Sequence, residues 1–221
     1  DAPLAYYRVP EPGSSGPGVM VINPDIHPHY ANYNEHVLVH HESIPGHHTQ
    51  LALAQELDLP NFQRYYMVNP YMQDYILQSY PEGWALYAES LAWEMGLYDG
   101  DPFANLGRLR LQLLRAVRSV VDTGIHAEGW TLDQAAVYLE TVTGMPQNRE
   151  MLMRYLVNPG YPNGYTIGSA TFRQLRQLAR QELGDLFEIK EYHNTVLGSG
   201  ILPTVVLEGV VDDWIVATLH Q

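Results

Sequence analysis

The stretch His40-His41-Glu42-Ser43-Ile44-Pro45-Gly46-His47-His48 places four histidines and a glutamate within nine residues. Imidazole is the commonest protein ligand for zinc, and a glutamate beside a ligating histidine can serve as base toward a water on the metal. The helical zinc motif H-E-x-x-H sets its two histidines one turn apart on one face. Here the second histidine comes two residues later. In an unbroken helix His41 and His47 would lie about 9 Å apart along the axis and about 240° apart around it, too far to share an ion. The helix cannot run unbroken. Pro45 lacks an N–H and its ring would clash with the carbonyl of His41, and Ile44 before it is driven out of the helical region. Gly46 accepts whatever dihedral angles the detour needs. A two-residue bulge would return His47 to the place the motif's second histidine holds, with His48 as the alternative. The plainer reading is a histidine-rich surface turn.

Two histidines leave a metal site one protein ligand short, so the third must come from elsewhere in the chain. The segment Tyr80-Pro-Glu82-Gly-Trp-Ala-Leu-Tyr-Ala-Glu89 offers it. Glu82 and Glu89 are seven apart, about two turns, and share a face beside an apolar stripe that begins at Trp84. Carboxylates so close to an apolar face are unusual unless paired or ligating. A glutamate here completes a His₂Glu set with a fourth position open to water, and Zn2+ is the expected ion. The competing explanation is that Glu82, directly after Pro81, stabilises a helix N-terminus.

Further candidates are less specific. Arg115, Arg118, Asp122 and His126 form one polar stripe on a long predicted helix. Such a stripe is either a solvated face of ion pairs, support for the metal ligands, or a clamp on a substrate carboxylate. Tyr165, in step with Gly168 and Phe172, can donate a hydrogen bond to an oxyanion, with Tyr161 and Tyr87 as rivals. Arg176 is a substrate ligand or an ion-pair partner. No Glu has a His three residues on, which argues against a di-iron bundle. No Gly-x-Ser-x-Gly elbow and no lysine-bearing phosphate loop occur.

The elements that must position these residues are mostly helical. The 221-residue chain has 46% hydrophobic content, no cysteine and a net charge of −13, with Lys190 its one lysine. So acidic a chain is not expected to bind nucleic acid through phosphates, and thiolate chemistry is excluded. No apolar run approaches ~20 residues, so no membrane span is expected, which fits a soluble protein, cytoplasmic or exported. Residues 1–34, rich in Pro, Gly and Tyr, read as an extended arm with one or two strands around Val19–Ile22, ended by Asn23-Pro24. Residues 35–221 read as helices in a single mainly α domain. Expected helices cover 35–43, then a run from His47 to Pro60 with His47, Leu51 and Ala54 on one face. A third, opened by Pro81, places Trp84, Ala88, Leu91 and Met95 inward. A fourth runs from Asp101-Pro102 to about Ala127 with Leu106, Leu109, Leu113 and Val117 inward. Thr131–Gln134 reads as a capping box, with Gly144 and Pro146 as the stop, and residues 147–157 as a short helix. A loop over 158–164 then leads to a helix from Tyr165 to about Leu183. Asp185–Glu188 reads as a second capping box, and Pro203 opens a last helix with Val206, Val210 and Trp214 in step. Residues 61–78 are aromatic and interrupted at Pro70.

The same motifs, taken together, resemble a known family. His-Glu-Ser-Ile-Pro-Gly-His-His-Thr-Gln (41–50) and Glu-Gly-Trp-Ala-Leu-Tyr-Ala-Glu (82–89) resemble signatures of the bacterial domain-of-unknown-function family 885. So do Val-Asp-Thr-Gly-Ile-His-Ala (121–127) with Trp130, Tyr-Thr-Ile-Gly (165–168) with Leu175-Arg176, Gly-Asp-Leu-Phe (184–187) with Tyr192-His193, Gly200-Ile-Leu-Pro203 and Trp214-Ile215. That family is similar to helical zinc metallopeptidases of the gluzincin type. The resemblance implies a helical metallopeptidase-like catalytic domain acting on peptide substrates. It implies zinc on His41, His47 and Glu82, with Glu42 as base and Glu89 supporting the ligands or replacing one. Asp122 and His126 stay in the same supporting role, and Arg118 and Arg176 as substrate ligands. Family members are much longer, with a large helical part ahead of the position of residue 1. The chain resembles their C-terminal catalytic portion, so an N-terminal half or a second copy is expected to complete the cleft.

Overall fold

The computed structural model describes residues 4–11, 16–23, 32–64, 77–145 and 149–220. The arm supplies two strands, β1 (Ala5–Arg8) and β2 (Val19–Ile22), paired antiparallel with Ala5 opposite Ile22 and Arg8 opposite Val19. An isolated two-stranded ribbon is marginal in water. This one leans on the helical body: the Tyr7 hydroxyl is 3.0 Å from His48 Nδ1, Ser43 donates to Met20 Sδ, and Gln55 donates to the Pro10 carbonyl.

The breakers and caps divide the rest. α1 (Glu35–Glu42) and α2 (His47–Glu56) flank the Pro-Gly break, and α3 (Asn61–Arg64) follows. The expectations for Pro24, Pro70 and Pro146 lie outside the described residues. Pro81 occupies the first turn of α4 (Pro81–Glu94), where its missing N–H leaves no bond unmade. Asp101 caps α5 (Pro102–His126), accepting from the N–H groups of Phe103 and Ala104. Thr131 and Gln134 close the expected capping box on α6 (Leu132–Thr143), and Gly144 ends it in the left-handed conformation. α7 (Arg149–Val157), α8 (Tyr161–Leu183), α9 (Ile189–Gly198) and α10 (Thr204–Leu219) complete the chain. The architecture is mainly α with a short β arm, as expected.

Five local expectations are corrected. α8 begins at Tyr161, not Tyr165, because Gly160 adopts φ 85° and Pro162 fits the first turn. Asp185 caps nothing: residues 184–186 form a 3-10 turn and α9 starts at Ile189 without a side-chain cap. On α10 the inward residues are Leu207, Val211 and Ile215, one position past those predicted. On α5 Leu106, Leu109 and Leu113 face outward, Leu109 at 49% exposure, whereas Leu111, Leu114 and Val121 face inward with Val117. Met95, past the end of α4, is likewise 60% exposed.

α4 is the axis of the fold. Its residues 81–89 are all buried, between α1 and α2 on one side and α8 on the other. It meets α8 most closely where Gly83 faces Gly168, and a Cβ on Gly168 would fall on the Ser79 carbonyl oxygen. Apolar residues collect in two clusters. One joins Leu51, Trp84, Tyr87, Phe172, Tyr192 and Leu207; the other joins Val37, Leu111, Val121, Ala135, Leu139 and Leu152. The seam between α5 and α8 is polar instead. Thr166 donates to the Arg115 carbonyl, Ser119 to the Pro162 carbonyl, and Asp122 accepts from the Gly160 N–H and the Asn163 amide.

Candidate metal centre

The two histidine-bearing helices are separate. α1 stops at Glu42, residues 43–46 turn, and α2 starts at His47. The sequence predicts a break at Pro45-Gly46 between two helices, and the structure has it. Gly46 joins the turn to α2 at φ −78° and ψ −131°, and a Cβ there would collide with the carbonyl oxygens of His40 and His41. Trp84 fastens the turn from α4, its indole N–H donating to the Pro45 carbonyl at 3.0 Å.

This arrangement brings His41, His47 and Glu82 together. One ligand atom from each lies within 4.8 Å of the others, and all three residues are buried. Glu82 Oε2 is 3.4 Å from the Nε2 of His41 and 3.4 Å from the Nε2 of His47. The same oxygen is buried without a hydrogen bond. A buried carboxylate oxygen facing two imidazole nitrogens, otherwise unsatisfied, is the arrangement a small cation completes. The donor set, two nitrogens and one oxygen, fits a divalent first-row metal ion.

The other atoms of these ligands are held by neighbours. His41 Nδ1 lies 2.8 Å from Glu89 Oε1, and Glu89 in turn accepts from Arg115 Nη2 at 2.9 Å. A proton held on Nδ1 leaves Nε2 to face Glu82, the tautomer a ligand needs. Burial and the Arg115 charge pull the His41 pKa down, but hydrogen bonds to Glu82 and Glu89, with the Glu42 charge, outweigh them and raise it to about 9. Glu82 is held well below the usual carboxylate range: burial pushes it up, but the imidazoles of His41 and His47 beside it prevail. Glu82 Oε1 accepts from the Tyr161 hydroxyl at 3.0 Å. That hydroxyl has one proton, so in its 2.8 Å contact with Tyr165 it is Tyr165 that donates.

The group opens onto a cavity of about 470 Å3 lined by His41, Glu42, His47 and Glu82, by Tyr161 and Tyr165, and by β1. Glu42 is itself buried and sits on the wall beside the three ligand candidates. The remaining predicted residues stand elsewhere. His48 turns to Tyr7, and Glu89 faces the far nitrogen of His41. Asp122 holds the start of α8, and His126 Nε2 reaches the Tyr155 carbonyl. Arg118 lies against Met151 and over the Tyr155 ring. Arg176 forms a two-pronged ion pair with Glu94, at 2.7 and 3.0 Å, and donates to the Tyr87 hydroxyl. Sequence reasoning did not foresee the link from Tyr161 to Glu82 or β1 as a cavity wall. The first had a signal, since Tyr161 and Tyr165 are four apart on one helix face; the second had none, because it depends on how the arm folds back.

A family model described as a bacterial protein of unknown function, DUF885, matches residues 1–211. A crystal structure from Colwellia psychrerythraea, described as a "putative lipoprotein", is 39% identical with a TM-score of 0.88. It is matched over 98% of this chain but 36% of its own. A "putative lipoprotein of unknown function" from Shewanella oneidensis shares the fold at TM-score 0.75 and 23% identity, over 95% of this chain and 39% of its own. The chain thus spans well under half the length of these relatives. No curated protein matches it.

Proposed function

This chain belongs to the bacterial family of unknown function DUF885, and from that premise we propose that it is a zinc-dependent hydrolase of peptide bonds. The observation that carries this reading is the convergence of His41, His47 and Glu82, from three helices, on one buried point of a cavity wall that Glu42 also lines. When bound, zinc would supply Lewis acidity to a scissile carbonyl and lower the pKa of water. The chain's own residues do the rest. His41, His47 and Glu82 hold the ion. Glu42 takes a proton from the attacking water and delivers it to the leaving amine. Glu89 and Arg115 fix the orientation of His41. Tyr165 turns its hydroxyl from Tyr161 to the developing oxyanion.

Glu42→Gln is expected to keep bound zinc, read by elemental analysis, and to abolish hydrolysis of a peptide library. Activity surviving that change would sink the mechanism. His47→Ala is expected to lose the metal; retained zinc would transfer the ligand role to another residue. A second reading is a metal-binding portion without activity of its own, favoured by the 36% share of the Colwellia chain that is matched. It predicts stoichiometric zinc with every peptide left intact.

A further inference from the structure

The wall of the cavity is acidic. Glu11, Glu42 and Glu82 line it, and among the described lining residues Arg8 is the one arginine or lysine. Arg8 ends β1, opposite Val19, and its side chain is exposed. Among the described residues Arg8 forms no ion pair and no side-chain hydrogen bond. Several of the chain's other arginines are engaged. Arg115 pairs with Glu89, Arg176 with Glu94, Arg108 donates to Asn105, and Arg64 to the Gln55 carbonyl. In a chain of twelve basic residues and net charge −13, an unpaired guanidinium at the rim of an acidic cavity is a distinctive placement.

We propose that Arg8 binds the terminal carboxylate of a short peptide whose scissile bond lies at the His41, His47 and Glu82 group, so that the substrates are short peptides with a free C-terminus. The proposal rests on the peptide-hydrolase reading above. A carboxylate entering this cavity would meet Glu11 and Glu42 as well as the bound ion, and Arg8 is the guanidinium among the described lining residues that can receive it while the ion holds the scissile carbonyl. Guanidinium suits that task because its planar fork presents two parallel N–H groups to the two carboxylate oxygens. At about 470 Å3 the cavity lies in the range of small-molecule sites, roughly 300–1,000 Å3. β1 lines the cavity from Ala5 to Arg8, so Arg8 stands at the end of a strand that forms part of its wall.

The test uses zinc-loaded Glu42→Gln, which holds ligand without turnover, and calorimetric titration with trialanine and trialanine amide. The free acid is expected to bind about tenfold more tightly than the amide, the scale of one partly exposed charge-assisted contact. Adding Arg8→Ala is expected to remove that preference and leave amide affinity unchanged, and Arg8→Lys to restore part of it. Equal binding of acid and amide with Arg8 present, or a preference that survives Arg8→Ala, overturns the role of Arg8 alone. If neither peptide binds and zinc-loaded wild-type chain cleaves neither, the peptide-hydrolase reading falls together with it.

Discussion

At the residue scale, the two tyrosines of α8 divide their work by where their protons point. Tyr161 donates to Glu82 Oε1, which steers the other carboxylate oxygen toward the histidines. Tyr161→Phe is expected to weaken zinc binding by about tenfold, the usual scale for losing a partner behind a metal ligand. Tyr165→Phe is expected to leave zinc affinity intact and lower kcat by about a hundredfold, as for loss of one oxyanion donor. A competition titration with a chromophoric chelator and steady-state kinetics separate the two. His193 gives a pH prediction of a different kind. Burial and the nearby Arg176 lower its pKa to about 4, and its Nε2 lies 2.8 Å from the Tyr87 hydroxyl. The unfolded chain takes up this proton near pH 6.5, well before the folded one does. The contribution of neutral His193 is therefore complete above pH 6.5 and is lost as pH falls toward 4. Urea midpoints across that window should decline, and His193→Gln should flatten the part of the decline due to this group.

At the element scale, the contact between α4 and α8 depends on two glycines. Gly83→Ala or Gly168→Ala would force the helices apart, because the added Cβ meets backbone rather than a side chain that can move. A loss of about 3 kcal/mol or outright failure to fold is expected, at the upper end of overpacking costs. Gly209→Ala on α10 is the control: its Cβ would meet nothing, and a gain of about 0.5–1 kcal/mol is expected from helix propensity. Chemical denaturation of the three variants decides this. The elements themselves were readable where the chain marks its own boundaries. Pro81, Asp101-Pro102, Thr131–Gln134 and Gly144 act through local sterics and local hydrogen bonds, which sequence encodes directly. The inward face of α5 was not readable. Leucines fall on both sides of it, and the inward side also carries Arg115 and Asp122, which pair with Glu89 on α4 and Asn163 on α8. The start of α8 has causes of both kinds: Gly160 and Pro162 are local signals, and Asp122, nearly forty residues earlier in the chain, braces it. The His41, His47 and Glu82 set was legible because rare ligand types and a Pro-Gly break coincide. How Glu89 and Tyr161 attach to that set is a tertiary fact.

At the scale of the whole molecule, a metal ion would join α1, α2 and α4 at one point. A ligand that binds only the folded chain adds stability by mass action, about 4 kcal/mol at a thousandfold excess over its Kd. Zinc should raise the melting temperature of this chain, a chelator should reverse the rise, and His47→Ala should show none; equal shifts in both proteins would place the ion elsewhere. The seam between α5 and α8 gives this a further meaning. The two apolar clusters face each other partly across charged and hydroxyl groups, not continuous hydrocarbon. Polar contacts admit water at lower cost than apolar ones, so the metal-free chain has a natural plane along which to come apart. Scanning calorimetry of the metal-free protein should then resolve two overlapping transitions, one for each cluster. Zinc would tie α1, which carries Val37 of one cluster, to α2 and α4, which carry Leu51 and Trp84 of the other, so with zinc bound the two transitions should merge into a single cooperative event.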